Sequence, residues 1–210
     1  MAELRFYFGT MGSGKSTQAL QINHNLRTRG LKTVLCSQLD REDGKVSSRL
    51  GVSAVAEQVT DSVNLYLLAK RVRDAQGGLD AFIADEAQFY TSAQIEQLAR
   101  IVDELDVEVY AFGLLTTFQG ELFPGTKRLI ELADIRQEVQ VEARCWCGRR
   151  ATHNARLVDG QQVYDGQLKV VGDTDADPDA VVSYELRCRD HWHTALRELQ
   201  GRQLELLEDD

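Results

Sequence analysis

Apolar and polar positions alternate in blocks along the first two thirds of the chain. Leu4 to Phe8 is a short apolar run, predicted as a strand, that leads directly into the glycine-rich stretch Gly9 to Ser16. Helical spacing follows from about Gly14 to Arg29 and is stopped by Gly30, after which Lys32 to Ser37 reads as a second strand. Residues 38–60 are polar and punctuated by glycine; they are too long for a simple connection and are expected to form a functional or mobile loop. Asp61 is expected to cap a helix that runs to Gln76 and ends at Gly77-Gly78. Ala81 to Ala84 is a third strand, closed by Asp85-Glu86. Thr91 and Gln94 have the spacing of a capping box, which opens a helix towards Glu104, and Val107 to Phe112 is a fourth strand. Strands alternating with helices in this way predict an α/β fold with a mainly parallel sheet and helices on both faces.

The pattern changes after Glu142. Helical spacing disappears, and Cys145-Trp146-Cys147-Gly148, Asp159-Gly160 and Gly172 punctuate short β-like runs. A module this small has little core of its own, so a metal would supply the missing constraint. The segment Asp173 to Pro178 is expected to be a solvated acidic loop, and a helix is expected from Asp190 into an acidic tail. The expected division is 1–142 for the α/β domain, 143–195 for the β-rich module and 196–210 for a terminal helix and tail.

Composition narrows the function. With 24 Lys plus Arg against 33 Asp plus Glu, the net charge of −9 argues against a nucleic-acid partner held by a basic face. An anionic ligand must therefore be met by local groups. No basic start followed by an apolar core precedes Gly9, and no run long and apolar enough to span a membrane occurs, so a cytoplasmic location is expected. Cys36 stands alone in an apolar run, whereas Cys145, Cys147 and Cys188 fall in the last third. In a reducing compartment that clustering suggests metal binding rather than disulfides.

Two constellations carry chemistry. Gly9-Thr10-Met11-Gly12-Ser13-Gly14-Lys15-Ser16 satisfies G-x-x-x-x-G-K-[ST] between a predicted strand and a predicted helix, the context a phosphate-binding loop requires. Its glycines let main-chain N–H groups close on an anion, Lys15 can neutralise the β- and γ-phosphates of ATP, and the Ser16 hydroxyl can ligate Mg²⁺. Asp85, at the end of a later strand, is the expected second Mg²⁺ ligand, and Glu86 beside it could take the proton from a hydroxyl acceptor. Cys145-x-Cys147 and Cys188-x-x-His191 offer four ligands for one tetrahedral, structural zinc. His193 competes with His191; on a helix the two rings stand about 200° apart, so only one can face the ion, and the spacing favours His191. His24 and His153 have no evident partners and are expected at the surface.

The stretch Gly9 to Thr17, the run Asp85-Glu86-Ala87-Gln88-Phe89, Phe112-Gly113-Leu114, and Thr117-Phe118-Gln119-Gly120-Glu121-Leu122-Phe123 together resemble the thymidine kinase family of the cytosolic, zinc-containing type. The resemblance continues in order through Cys145-Trp146-Cys147-Gly148, Val170-Val171-Gly172, Tyr184 and Cys188-Arg189-Asp190-His191, and Lys45 to Arg49 is similar to the bacterial branch. It implies transfer of the ATP γ-phosphoryl to the 5′-hydroxyl of thymidine, with deoxyuridine a possible second substrate. It implies Glu86 as general base with Lys15 at the phosphates, and nucleotide contacts from Gly9 to Ser16 and from Asp85, Glu86, Ala87 and Gln88. Asp40 would join Ser16 and Asp85 near the metal. Met11, Phe89, Leu114, Phe118 and Phe123 would wall the thymine pocket; Leu168, Val170, Gly172 and Tyr184 would belong to a lasso that closes over the nucleoside. A homotetramer and feedback inhibition by thymidine triphosphate are further implications of the resemblance. The alternatives are an ATPase with a zinc ribbon and no nucleoside acceptor, or a zinc-ribbon nucleic-acid module on a nucleotide switch; the acidic balance and the lack of a basic stripe argue against the second.

Overall fold

The computed structural model describes residues 1–38, 45–47, 51, 53–168 and 181–195. They form two compact units, the first from Met1–Leu115 and Leu122–Val141, the second from Thr116–Glu121 and the described residues from Glu142 onward.

The first unit is a six-stranded sheet in which every pairing is parallel. Its elements are β1 (Leu4–Phe8), α1 (Lys15–Thr28), β2 (Thr33–Ser37), β3 (Lys45–Ser47), β4 (Ser53–Val55), β5 (Glu57–Gln58), α2 (Leu65–Gln76), β6 (Ala81–Asp85), α3 (Ser92–Leu105), β7 (Glu108–Gly113), α4 (Pro124–Leu132) and β8 (Ile135–Glu138). The sheet order is β5-β2-β6-β7-β1-β8, and β3 pairs antiparallel with β4 as a separate ribbon. Because both faces are covered at its centre, β1, β2, β6 and β7 are mainly apolar, whereas the edge strands β5 and β8 are polar and largely exposed. Leu4, Phe6, Val34, Cys36, Phe82, Ala84, Val109 and Ala111 pack in the larger core with residues of α2, α3 and α4. Tyr7, Leu35, Ile83 and Phe112 face the other way, onto Ala19 and Leu20 of α1. The period-2 alternation thus sends α1 to one face and the other three helices to the opposite one.

Several expectations are corrected. The helix expected from Asp61 starts at Leu65 and is capped by Asn64, whose side chain accepts from Leu67 N; Asp61 accepts instead from Gln38 Nε2 at 2.8 Å. The described part of 38–60 holds the β3–β4 ribbon and the edge strand β5 rather than loop alone. Helix α4 and strand β8 have no counterpart in the sequence reading, although Pro124 at the first helical position is a readable start signal.

The second unit contains β9 (His153–Val158), β10 (Gln161–Val163) and β11 (Val182–Arg187) in an antiparallel sheet ordered β10-β9-β11. Its apolar core among the described residues is small: Ala155, Leu157 and Trp192, with Tyr164 packed against them. Residues 189–195 are helical. His153, expected at the surface, is half-buried and stacks on Trp192 with ring centroids 4.9 Å apart.

Candidate active site and metal centre

In an all-parallel sheet the carboxyl ends of the strands share one edge, where ligands of such folds bind. Phe8 pairs with Gly113, and Gly9 N donates to Gly113 O at 3.3 Å, so the glycine-rich loop leaves the sheet beside the end of β7. The loop tolerates no side chain at its start: a Cβ on Gly9 would lie 2.6 Å from both Ser13 Oγ and Val139 O. Gly12 and Gly14 have φ of 72° and 88°, the left-handed region that glycine enters without a Cβ penalty. Gly14 is the N-cap of α1 and gives it no side-chain cap, whereas α2 and α3 are capped by Asn64 and Thr91. The first N–H groups of α1 are therefore left to an anionic ligand. Lys15 is buried and folds back over the loop, its Nζ donating to Thr10 O at 2.7 Å and Gly9 O at 3.2 Å.

Asp85 ends β6 and is buried beside this loop. It accepts hydrogen bonds from the Ser16 hydroxyl and from Glu86 N, the latter at 3.0 Å. Burial, and then the charge of Glu86, raise its pKa to about 7 against the lowering effect of Ser16, the Glu86 N–H and Lys15. A buried carboxylate in contact with a hydroxyl at the first turn of a phosphate loop fits a divalent cation, whose charge would relieve the desolvation. Glu86 follows at φ 52° and ψ 33°, a left-handed conformation that costs a non-glycine residue on the order of 1–3 kcal/mol and concentrates at functional sites. Its Oε2 accepts from Gln88 Nε2 at 2.5 Å. Ala87 and Gln88 are both buried in the 3₁₀ turn that follows.

Of the expected pocket residues in the first unit, Phe89 and Phe123 meet edge-to-face at 5.4 Å. Leu114 is buried, its N–H bound to Gln88 Oε1 at 3.0 Å and its carbonyl accepting from Thr126 Oγ1 at 2.7 Å. Met11 is half-buried within the phosphate loop. Phe118 lies in the second unit, buried, with the Arg156 guanidinium 5.3 Å from its ring centre. Leu168 and Tyr184 also belong to the second unit and are exposed. Asp40, Val170 and Gly172, and the acidic loop from Asp173, lie outside the described residues.

Within the second unit, Cys145, Cys147, Cys188 and His191 place one ligand atom each within 4.8 Å of one another. Cys147 Sγ and Cys188 Sγ stand 3.9 Å apart. Sulfurs at about 2.3 Å from a tetrahedral zinc would be roughly 3.8 Å apart, so the cluster fits that ion. Gly148, with φ of 80°, turns the chain so that Gly148 N reaches Cys145 O at 2.8 Å and Cys145 N reaches Arg149 O at 2.9 Å. Burial pushes the Cys145 thiol up, yet backbone N–H groups of Cys147 and Cys188, with His191, together bring it down to about 6, as suits a thiolate ligand. Cys188 is raised: the His191 N–H lowers it, but burial and the two neighbouring thiols prevail. His191 Nδ1 is 3.3 Å from Cys145 Sγ, and Trp146 stacks on its ring at 3.7 Å. Cys36 is a buried thiol of the main core.

A family model described as Thymidine kinase matches residues 2–192. The chain belongs to the thymidine kinase family. Its relatives include the thymidine kinase of Streptomyces coelicolor, 50% identical over 210 residues that cover 100% of this chain and 97% of that one. The thymidine kinase of Streptomyces avermitilis is 51% identical and that of Cutibacterium acnes 49% identical, each over 192 residues that cover 91% of this chain and 88% of the relative. Among solved structures, a Pif1 helicase from Candida albicans matches with a TM-score of 0.41 and 14% identity over 66% of this chain and 36% of that one, too distant to inform the reading. Membership implies that this member of the family uses ATP, and the Cys3His cluster gives it a site that could hold zinc. No helix among the described residues is long and apolar enough to cross a membrane.

Three features of the site escape a reading by motif. Gln88 bridges Glu86 and Leu114, Thr126 holds the Leu114 carbonyl, and Trp192 carries the small core of the second unit. Gly125 offered a signal for the second of these: a glycine one residue after Pro124 at a helix start marks close packing, and a Cβ there would meet Ala87 O and Tyr90 O at 2.6 Å.

Proposed function

We propose that this chain transfers the γ-phosphoryl of ATP to the 5′-hydroxyl of thymidine, and of deoxyuridine as a second acceptor, with Glu86 as general base. The observation that carries the reading is the set Lys15, Ser16, Asp85 and Glu86 at the carboxyl ends of β1 and β6 in a member of this family. Main-chain N–H groups from Gly9 to Ser16 would hold the ATP phosphates, and Lys15 would leave Gly9 O and Thr10 O for them. Ser16 and Asp85 would hold Mg²⁺, joined by Asp40; when bound, the ion neutralises charge on the β- and γ-phosphates. Glu86 takes the 5′-hydroxyl proton as the O5′–Pγ bond forms and the bond from Pγ to the bridging oxygen breaks, with ADP leaving on that electron pair. Asp85, Glu86, Ala87 and Gln88 border the nucleotide in this reading. The nucleoside contacts are assigned to Met11, Phe89, Leu114 and Phe123 of the first unit and to Phe118, Leu168, Val170, Gly172 and Tyr184 of the second.

Zinc at Cys145, Cys147, Cys188 and His191 would be structural, since four protein ligands leave no position for water. The reading extends to a cytoplasmic homotetramer inhibited by thymidine triphosphate, which sedimentation and inhibition assays address. The deciding experiment measures ADP release with and without thymidine, and identifies the nucleoside product by mass. Release that depends on thymidine and yields the 5′-monophosphate is expected; equal release without nucleoside would favour the ATPase alternative.

A further inference from the structure

Gln88 is buried to 1% exposure, and both ends of its amide are engaged. A main-chain N–H can only donate, so the atom that meets Leu114 N at 3.0 Å is the amide oxygen. That fixes the other end as the NH₂ group, which stands 2.5 Å from Glu86 Oε2 and must donate to it. The orientation of the amide is thus set by the main chain just after β7, and it presents Glu86 with a donor, which an ionised carboxylate accepts. Among the described residues the other carboxylate oxygen, Oε1, has no hydrogen-bond partner.

The turn that carries Gln88 is held on two sides by glycines. A Cβ on Gly113 would come within 2.8 Å of Gln88 Oε1 and 3.0 Å of Gln88 N. A Cβ on Gly125 would lie 2.9 Å from Gln88 O. Close approach of this kind leaves the glutamine little freedom to choose another rotamer. Glu86 itself sits in a left-handed conformation, which persists only where the surroundings determine it.

We propose that Gln88 is a positioning residue for phosphoryl transfer: it pins Glu86 Oε2 to the Leu114 main chain and leaves Oε1 as the proton acceptor. The inference rests on the reading of Glu86 as general base. In this proposal Gln88 acts on the proton transfer through Glu86, to which its amide is bonded. One wall residue of the acceptor pocket, Leu114, and the base are thereby tied to the same amide, so a shift of one is felt by the other.

The test is a double-mutant cycle on kcat with purified, zinc-loaded full chain, saturating ATP and thymidine, and thermal melting of each variant. Gln88→Met, close in shape but without donor or acceptor, is expected to lower kcat about tenfold to thirtyfold, with less than a threefold change in the KM for ATP. In a Glu86→Gln background the same change is expected to lower kcat less than twofold, because the group it positions is already gone. Gln88→Asn keeps an uncharged amide but is one methylene too short to span Leu114 N–H and Glu86; a loss of kcat with only a modest fall in melting temperature is expected, and this variant serves if Gln88→Met does not fold. Equal fold losses in the two backgrounds would overturn the proposal, since a general structural role predicts them. If Glu86→Gln alone keeps kcat near wild type, the general-base reading fails first, and that outcome is visible before Gln88 is touched.

Discussion

The indole Nε1 of Trp192 donates to the Phe118 carbonyl at 3.1 Å, across 74 residues of sequence. The same ring fills the space above Gly120, where a Cβ would lie 2.6 Å from it, and Gly120 adopts φ of 86°. Segment 116–121 is otherwise closed on itself, with Thr117 N donating to Glu121 O and Gly120 N to Thr117 O. Trp192 directly follows His191 of the Cys3His cluster, and its own N–H reaches Cys188 O at 3.0 Å. One residue therefore lies between the Cys3His cluster and the backbone that presents Phe118.

From this we expect Gly120→Ala to raise the KM for thymidine by about tenfold or more, because it combines a steric clash with a strained φ. Trp192→Phe, which keeps a ring and loses one buried hydrogen bond, should raise it by roughly threefold to tenfold. The KM for ATP should change little in either. Steady-state kinetics with each substrate varied in turn check this, and equal effects on both substrates would count against it.

Lys15→Ala should abolish phosphoryl transfer, a loss of about three orders of magnitude or more in kcat/KM for ATP, while the fold is retained. Its ammonium is bonded to Gly9 O, Thr10 O and Ser13 Oγ of the phosphate loop. Circular dichroism and a melting curve close to wild type, beside absent product, is the expected pair of results.

The pH dependence of stability follows from Asp85, whose folded pKa of about 7 lies above its ordinary value of 3.8. The folded state binds this proton more tightly than the unfolded chain does. Its contribution to stability is thus full below about pH 4 and is lost as pH rises through about 7. Asp85→Asn removes the buried charge, so in nucleotide-free, metal-free protein it should raise Tm at pH 8 by several degrees, with a smaller difference at pH 5, and it should lower kcat. Melts at the two pH values decide the matter; no gain at pH 8 contradicts the assignment of a costly carboxylate.

Cys147→Ser should release about one equivalent of zinc per chain and lower the melting of the second unit, whose described core is Ala155, Leu157, Trp192 and Tyr164. The KM for thymidine should rise strongly while ATP binding stays near wild type, since the phosphate loop lies in the first unit. Elemental analysis with nucleotide titration tests both parts. Wild-type protein without zinc, or unchanged thymidine kinetics in a zinc-free variant, would refute it.

What could be read from sequence was what is encoded locally. The phosphate loop, the Thr91–Gln94 capping box and the glycine stop at Gly77 each depend on neighbours within a few residues, and each is present. Asp61 and Asn64 were equally good caps by residue type; the choice fell to Asn64 because Asp61 is engaged by Gln38, 23 residues away. Leu65 to Val72 then turn their apolar positions inward from Asn64 rather than from Asp61. The roles of Gln88 and Trp192 depend on partners 26 and 74 residues distant, and nothing in their local sequence signals them. The four members of the Cys3His cluster were legible because Cys-x-Cys and Cys-x-x-His are short-range patterns, although the two halves, 41 positions apart at Cys147 and Cys188, had to be brought together by the fold of the second unit.

Segment 116–121 is flanked by Leu115 and Leu122 of the first unit and yet belongs to the second. During synthesis it leaves the ribosome well before the residue that holds it, since roughly seventy residues separate Gly120 from Trp192. At about 5–20 residues per second that is an interval of roughly 4–14 s. For those seconds β1, β6 and β7 can already pair, because the strands that carry the phosphate loop and Asp85 are complete by Gly113. The nascent chain thus has the strands that carry the glycine-rich loop and Asp85 in place while Phe118 still waits for the residue that holds its carbonyl.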